Sequence, residues 1–260
     1  MERTTVDSLL RTTQAWCSQL CAKQTLDYGI AYYSQRFPGL PEVNQFREVI
    51  VEETVKIPVA YEQAEEWFAE KGLFCYRWAP AEGRPSEPLS SFLEAQGFRP
   101  RQDVAMLLTD WVHLEPVPGV RILSARAMRG AFRRTLTGSS PPGRACDDAV
   151  EAYVERLDDP QFDMFVAMKD KRPAGRCALY QVGDIARIMD LAVPDLHAAP
   201  GVTHALLGHV LALAKRLVMR NICTQLHSED SAVRALFESA GFVADGEIVE
   251  FQRARPAGRA

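Results

Sequence analysis

The clearest pattern of hydrophobic and polar positions lies in the C-terminal half of the chain. Residues 186–193 (ARIMDLAV) form a nearly unbroken apolar run, which is typical of a buried strand. A loop with two prolines and a glycine, Pro194 to Thr203, comes directly after this run. The spacing downstream predicts further elements: a helix over 202–219, a strand over 222–226, a helix from Ser231 and a strand over 247–252. Strands and helices that alternate in this way indicate an α/β fold.

The same spacing divides the rest of the chain into shorter elements. Helices are predicted over 5–24, 61–71 and 89–96, with one or two more between 124 and 161. Strands are predicted over 28–33, 46–52, 74–78, 104–109, 120–123, 162–168 and 176–182. Segments 115–119 (EPVPG) and 138–143 (GSSPPG) are loops by composition. We interpret the first as a linker, which predicts one domain over 1–115 and a second over 119–260.

An internal repeat supports this division. Residues 89–98 (LSSFLEAQGF) align with residues 233–242 (VRALFESAGF). Each copy comes after a helix and a short strand that contains a cysteine, and each precedes another strand. We therefore interpret the chain as two copies of one α/β unit, the first without the long loop before its helix.

The loop that ends at Gly201 leads into the predicted helix over 202–219. The N–H groups of Val202, Thr203 and His204 would precede the first helical hydrogen bond, and the helix dipole would also favour an anion there. Pro200 removes one donor. Without its surroundings, a Pro-Gly pair before a helix indicates only a turn and a helix start.

Composition narrows the function classes. The 260 residues carry a net charge of -4, which argues against a nucleic-acid partner. The chain shows neither a run of 18 apolar residues nor the apolar core of a signal peptide, so we expect a cytoplasmic location and no membrane partner. The six cysteines are scattered, and Cys17 and Cys21 lack a second pair to complete a metal site. We expect buried thiols and no metal.

The strand over 186–193, its loop, the helix after it and the Ala-Gly-Phe turn at 240–242 resemble, in this order, the GNAT superfamily of acyl-CoA-dependent N-acyltransferases. That family carries Arg/Gln-x-x-Gly-x-Gly/Ala in this loop. Matching on Gly201 places Ala198 at the basic or amide position and Thr203 at the last small position, so only the central glycine is retained. The resemblance covers 120–254 well and 28–110 weakly. It implies two GNAT-like α/β (α+β) halves, each a mixed sheet flanked by helices.

The resemblance also implies a cofactor and the residues that hold it. Acetyl-CoA or another acyl-CoA would bind without a metal. Its pantetheine arm would pair with the end of the strand, and its pyrophosphate would bind at the helix start. The implied cofactor-binding residues are Leu191, Ala192, Val193, Ala198, Gly201, Val202, Thr203 and Ser231. The segment 37–44 (FPGLPEVN) is similar to one that tandem members of the family share in a loop-less first half.

Acyl transfer needs a base for the amine proton and an acid for the leaving thiolate. The family's tyrosine acid falls at Phe237 and its glutamate base at Arg187, and neither can serve. Asp190 is the remaining carboxylate on the strand, and Tyr180 is an alternative acid. A buried carboxylate needs a partner, so Asp190 either forms an ion pair with Arg187 or Arg176, or binds the amine and acts as a base.

The residues and the resemblance together support three hypotheses of function. The first is an acyl-CoA-dependent N-acyltransferase, of the acetyltransferase type, that acts on a small-molecule amine. The second is a GNAT-fold protein that has lost catalysis and serves as a binding or scaffold module. The third is different chemistry on the same fold, such as decarboxylation or transfer from a carrier-protein thioester, whose arm has one phosphate and tolerates a weak pyrophosphate loop. Expected partners are accordingly a small-molecule acceptor and, as further options, a carrier protein or a second copy of the chain.

Overall fold

The computed structural model describes residues 4–137, 144–194 and 201–254. Its helices are α1 Thr5–Leu20, α2 Ile57–Glu70, α3 Glu87–Ala95, α4 Arg129–Thr137, α5 Arg144–Arg156, α6 Val202–Arg216 and α7 Ser231–Ser239. Its strands are β1 Ala22–Leu26, β2 Gly29–Tyr33, β3 Gln45–Val49, β4 Arg77–Pro80, β5 Arg99–Leu108, β6 Val120–Ser124, β7 Phe162–Lys169, β8 Arg172–Val182, β9 Ile185–Ala192, β10 Asn221–His227 and β11 Phe242–Gln252. Short 3-10 helices lie at Pro41–Val43 and Thr54–Lys56.

Each helix and strand predicted from the spacing is present, with two differences worth a physical account. The first helix ends at Leu20, and β1 begins where helix was predicted up to residue 24, because the polar, exposed β1 pairs with β2 as an edge strand. The connection between β7 and β8 is shorter than the gap between the strands predicted over 162–168 and 176–182. Asp170 and Lys171 form a two-residue turn with φ of 48° and 63°, the geometry that favours short hairpins.

The chain divides into two compact units. The C-terminal unit comprises residues 4–12 and 105–245, and the N-terminal unit comprises residues 13–104 and 246–254. The predicted domains, 1–115 and 119–260, stay a prediction. The compact units differ from them because the chain passes from one unit to the other inside α1, β5 and β11.

In the C-terminal unit, strands β10, β9, β8, β7 and β6 lie side by side in that order. β9 and β10 are parallel, whereas the other neighbours are antiparallel. The apolar face of α6 packs on this sheet through Leu206, Leu207, Val210 and Leu211, which are all buried. Buried residues line both faces of the sheet, with Phe162 and Val166 on one face and Leu179 on the other.

In the N-terminal unit, β1, β2, β3 and β4 lie in that order, and β3 and β4 are parallel. The last residues of β11 pair antiparallel with β4, at Phe251 and Trp78. Phe46 and Trp78 meet edge to face at 4.8 Å, under the buried residues of α2 and α3. The element order α2, β4, α3, Gly97-Phe98, β5 repeats the order α6, β10, α7, Gly241-Phe242, β11.

Two classes of feature are absent from the described part of the chain. No helix within residues 4–137, 144–194 and 201–254 is long and apolar enough to cross a bilayer. The same residues contain no group of three or more His, Cys, Asp or Glu side chains that could hold a metal ion. The side chains of Cys17, Cys75, Cys177 and Cys223 are buried, as expected from their apolar surroundings, whereas Cys21 is only partly buried.

Candidate functional site

The parallel strands β9 and β10 part before either of them ends. Their pairing runs from Ile185 and Asn221 to Ile188 and Thr224, where the Thr224 hydroxyl also donates to the Ile188 carbonyl at 2.9 Å. Beyond this point β9 continues to Ala192 and β10 to His227. We call the opening between residues 189–192 and 225–227 the β9–β10 slot. Within the described residues, the β9 edge that faces the slot has no strand ladder.

A bulge at Asp190 shapes this edge. Arg176 of β8 lies opposite Ala192 and Ala178 lies opposite Met189, so β9 contains one residue more than β8 over the same interval. Asp190 adopts a left-handed conformation with φ of 55°. Aspartate tolerates this conformation better than most residues, and a bulge bends its strand. The bulge therefore lies where β9 separates from β10.

Asp190 forms a two-bond ion pair with Arg176. The Arg176 Nε atom donates to Oδ2 at 2.7 Å and Nη2 donates to Oδ1 at 2.9 Å, with side chains 11% and 13% exposed. Arg176 Nη1 also donates to the carbonyl of Thr135, in the last turn of α4, at 2.5 Å. Burial raises the pKa of the Asp190 carboxyl, against the opposing effect of the Arg176 charge. Of the two arginines considered from the sequence, Arg176 is therefore the partner.

Arg187 takes a different set of contacts. Its guanidinium donates to the Gln225 side-chain oxygen at 3.0 Å and to the Thr12 hydroxyl at 3.5 Å. These bonds tie β9 to β10 and to α1 just before the strands part. Arg187 thus closes the narrow end of the slot, while Asp190 lies at its wide end.

Helix α6 begins beyond the end of β9. Gly201 is its N-cap in a left-handed conformation with φ of 81°, and the first helical hydrogen bond runs from Ala205 N to the Gly201 carbonyl at 3.0 Å. The N–H groups of Val202, Thr203 and His204 therefore precede the hydrogen-bonded part of the helix, as predicted. A Cβ at Gly201 would lie 2.8 Å from Val117, so space and φ both require glycine. Ala198 lies outside the described residues.

Gly175 lies in β8, one residue before the strand predicted over 176–182, and no pattern in the sequence marks it as a site residue. A Cβ there would lie 2.9 Å from the Ala192 carbonyl oxygen, 2.9 Å from Val193 and 3.1 Å from Val202. The missing side chain thus lets the end of β9 and the first residue of α6 meet over β8. Strand pairing gives this glycine its role, and a single sequence does not show that pairing.

The other wall of the slot ends in a capped turn. The His227 Nδ1 atom accepts from the Glu229 N–H at 3.2 Å, and the Asp230 side chain accepts from the Val233 N–H at 3.3 Å to cap α7. Ser231 is the first residue of α7 and is exposed. His227 was missed from the sequence, although its place at the end of a predicted strand was a usable signal.

The structure does not bring the two acid–base candidates into one cluster. Tyr180 is fully buried, opposes Arg187 in the β8–β9 register and meets Phe162 edge to face at 6.5 Å. It lies four residues from Arg176 along β8, roughly 13 Å at ordinary strand rise. Phe237, at the family's tyrosine position, is buried against Phe242 at 5.1 Å. Catalytic roles for Asp190 and Tyr180 stay predictions.

Comparisons with known proteins agree with this geometry. A family model described as an acetyltransferase (GNAT) domain matches residues 143–255. No curated protein matches the chain. Its fold is similar to that of a functionally unknown conserved protein from Staphylococcus epidermidis, with a TM-score of 0.71 at 12% identity over 91% of this chain and 95% of the other. The GCN5-related N-acetyltransferase from Kribbella flavida gives a TM-score of 0.68 at 10% identity over 95% of each chain.

A third structure is similar over a smaller part of the chain. The GCN5-related N-acetyltransferase from Sphaerobacter thermophilus gives a TM-score of 0.55 at 17% identity over 78% of this chain and 69% of the other. At such identities the likeness concerns the fold. The resemblance and the mixed α/β fold class predicted from the sequence are confirmed by these matches.

Proposed function

We propose that the protein, whose residues 143–255 match the model of an acetyltransferase (GNAT) domain, is an acyl-CoA-dependent N-acyltransferase acting on a small-molecule amine. Acetyl-CoA is the first donor to test. The observation that carries the proposal is the β9–β10 slot, whose open strand edge runs towards the start of α6, where the N-cap Gly201 provides no side-chain cap. A donor whose extended arm ends in phosphates needs an open strand edge to bind the arm and free N–H groups to bind the phosphates.

The chain's own groups suit the two ends of such a donor. The backbone of Leu191, Ala192 and Val193 would pair with the pantetheine amides as an added strand would. The N–H groups of Val202 and Thr203 would bind the pyrophosphate, since the helix dipole favours negative charge there. The donor would supply the acyl group as a thioester, and the protein's part is to align it with the amine.

Two variants of opposite charge at Thr203 test this arrangement. The residue is half-buried in the first turn of α6, where a carboxylate stabilises a helix and an ammonium does not. We expect Thr203→Glu to raise the Kd for acetyl-CoA by about tenfold or more, because the carboxylate would repel the bound phosphates. Thr203→Lys should leave the Kd equal or lower, because an ammonium would attract them. Isothermal titration calorimetry gives both constants. Equal affinities for the two variants would contradict the proposed phosphate site.

Stability serves as the internal control in this experiment. Because the helix dipole favours the glutamate variant, its free energy of unfolding should equal or exceed that of the lysine variant. Binding and stability should therefore change in opposite directions. A loss of binding through damage to the fold would change them in the same direction.

One observation favours a second candidate, a binding module without catalysis. Both carboxylate oxygens of Asp190 accept bonds from Arg176, and a phenylalanine stands at the tyrosine position. Such a protein would bind acetyl-CoA with the same dependence on Thr203, yet release no free CoA with any member of a broad amine panel. A thiol-release assay on the panel separates the two functions.

We also propose that the N-terminal unit is a degenerate copy of the same α/β unit. Its parallel strands β3 and β4 stay paired at Val49 and Pro80, beyond the residue equivalent to Asp190. Its helix α2 begins at Ile57 directly after the 3-10 helix Thr54–Lys56, without a long loop. We expect one donor site per chain.

A further inference from the structure

We propose that the Arg176–Asp190 ion pair is a latch that holds the β9 edge in the shape that accepts the donor's extended arm. The inference rests on the proposed function and assigns positioning, rather than proton transfer, to Asp190. The latch comprises these two side chains and the Thr135 carbonyl. Its parts come from β8, β9 and α4, so it joins three elements around the wide end of the slot.

The geometry of the pair supports this role. A planar guanidinium that donates two parallel bonds fixes the direction of a carboxylate as well as its distance. Asp190 also has φ of 55°, a conformation that a non-glycine residue keeps only where its surroundings hold it. The ion pair is the interaction that can hold it, because it engages both oxygens of the side chain that the bulge presents to β8.

Proton transfer fits these contacts less well. A general base must be accessible to the group whose proton it accepts. Each Asp190 oxygen accepts one bond from Arg176 and the side chain is 13% exposed, so little of the carboxylate is open to an amine. The carboxylate thus faces the scaffold, and the group it shapes is the backbone at residues 189–192.

The third bond of Arg176 extends the latch to α4. Its Nη1 atom donates to Thr135 in the last turn of α4, where a cation also interacts favourably with the helix dipole. The rigid, planar guanidinium of Arg176 therefore contacts both Thr135 in α4 and Asp190 in β9. A change at Asp190 should consequently loosen both residues 189–192 and the end of α4.

The N-terminal unit contains a natural comparison. Glu48 of β3 has the same φ of 55° at a register shift between Arg47 and Val49. Its carboxylate accepts a hydrogen bond from the Tyr32 hydroxyl at 3.0 Å, where Asp190 has a guanidinium. The neighbouring strands stay paired at Val49 and Pro80, and Ala81 N donates to the Val49 carbonyl at 3.2 Å. A left-handed acidic residue alone therefore does not open a slot.

The test compares ligands with and without the arm. Affinities for acetyl-CoA and for 3′-phospho-ADP, which is the same molecule without its arm, are measured by calorimetry on the full chain. In Asp190→Asn we expect about tenfold weaker acetyl-CoA binding, the equivalent of roughly one backbone hydrogen bond, and 3′-phospho-ADP affinity within about twofold. The matched control is Glu48→Gln, which neutralises the equivalent residue and should leave both affinities unchanged.

A second variant guards against loss of folding. Asp190→Asn leaves the Arg176 charge buried without its counter-ion, whereas the double variant Arg176→Gln/Asp190→Asn removes both charges and keeps polar groups at both positions. Hydrogen–deuterium exchange of the ligand-free protein should rise in residues 186–192 and 129–137 for both variants, and should not rise there for Glu48→Gln. This readout requires no donor.

The outcomes separate the latch from the proposed function. If the wild-type chain binds no acyl-CoA, the proposed function falls and the latch loses its role in binding. If the wild-type chain binds acetyl-CoA and both variants bind it as tightly as the wild type does, the latch alone is overturned. Equal losses for acetyl-CoA and 3′-phospho-ADP would also overturn it, since they would indicate general damage. Selective loss of acetyl-CoA affinity with local exchange in both segments supports it.

Discussion

Strands β9 and β3 share a backbone feature but differ in how far they stay paired with their parallel neighbours. Asp190 in β9 and Glu48 in β3 both have φ of 55°, and each strand has a parallel neighbour. In the N-terminal unit the pairing with the neighbour resumes at Val49, whereas in the C-terminal unit it stops at Ile188. A left-handed residue at a bulge is therefore not sufficient to separate two parallel strands. The contacts that hold the bulge and the helix start beyond the end of the strand decide the result.

The helix starts beyond these strands also differ. Helix α6 begins with a left-handed glycine, Gly201, which provides no side-chain cap for the first turn. Helix α2 comes after Lys56, an N-cap in the helical conformation, and has Pro58 in its first turn. Proline lacks an N–H group, so the second start offers one donor fewer. We infer that one of the two repeated helix starts is built for an anion.

The largest expected effect concerns the glycines that end the repeated helices. Gly241 and Gly97 have φ of 97° and 83°, but a Cβ at Gly241 would lie 1.6 Å from the Asp110 carbonyl oxygen and one at Gly97 would meet no atom within 4 Å. We expect Gly241→Ala to lower the free energy of unfolding by about 4 kcal/mol or more. Gly97→Ala should cost about 1 kcal/mol, for the left-handed conformation alone. Denaturant titrations of the two variants measure the difference, and equal losses would refute the close approach at Asp110.

The buried Glu250 of the N-terminal unit should make stability depend on pH. Glu250 pairs with Arg47 at 2.7 Å and Arg77 at 3.3 Å, and these cations lower its pKa from the ordinary 4.5 to about 2, against the effect of burial. Since the folded pKa lies below the unfolded one, this stability is present above pH 4.5 and is lost as pH falls towards 2. Glu250→Gln should therefore cost about 3 kcal/mol at pH 7 and almost nothing near pH 2.

An exposed pair provides the control for this pH series. Arg234 and Glu238 form an i,i+4 pair on α7 at 2.9 Å with both side chains more than 40% exposed. Glu238→Gln should change the free energy of unfolding by less than about 0.5 kcal/mol at any pH. A difference between Glu250→Gln and the wild type that does not vary with pH would show that its ion pairs do not set the pKa of Glu250.

The strand glycines Gly175 and Gly29 should affect stability less than Gly241 does, but Gly175 has the sharpest consequence for binding. A Cβ at Gly175 would lie 2.9 Å from the Ala192 carbonyl, and one at Gly29 would lie 2.8 Å from the Arg47 carbonyl. Each alanine variant should cost about 1–3 kcal/mol by overpacking. Only Gly175→Ala should weaken acetyl-CoA binding, because it displaces the end of β9 and the start of α6. If Gly29→Ala weakens binding as much, the site is not confined to the C-terminal unit.

The sequence predicted much of the fold because its elements carry their own signals. The apolar run over 186–193, the spacing of α6 and the two Gly-Phe helix ends needed no knowledge of tertiary contacts. The polar strand β1 was missed because its residues are exposed, and it is held only by pairing with β2. Its pattern therefore lacks the apolar face that identifies most strands.

The candidate site was less accessible to such reasoning. Arg176 was one of two partners considered for Asp190, but the choice depends on strand register, and a bulge changes register without a mark in the sequence. Gly175 matters through atoms of Ala192 and Val202, which strand pairing brings to it. The bond from Arg176 to Thr135 uses a backbone carbonyl, which every residue has, so residue types could not reveal it.

The stoichiometry of donor binding tests the central claim most directly, since the two units differ in whether their parallel strands part. Native mass spectrometry of the full chain with acetyl-CoA counts the bound molecules. We expect one molecule per chain, with lower occupancy at equal acetyl-CoA concentration in Thr203→Glu and unchanged occupancy in Glu48→Gln. Two molecules per chain, or none at millimolar acetyl-CoA, would contradict a single donor site in the β9–β10 slot.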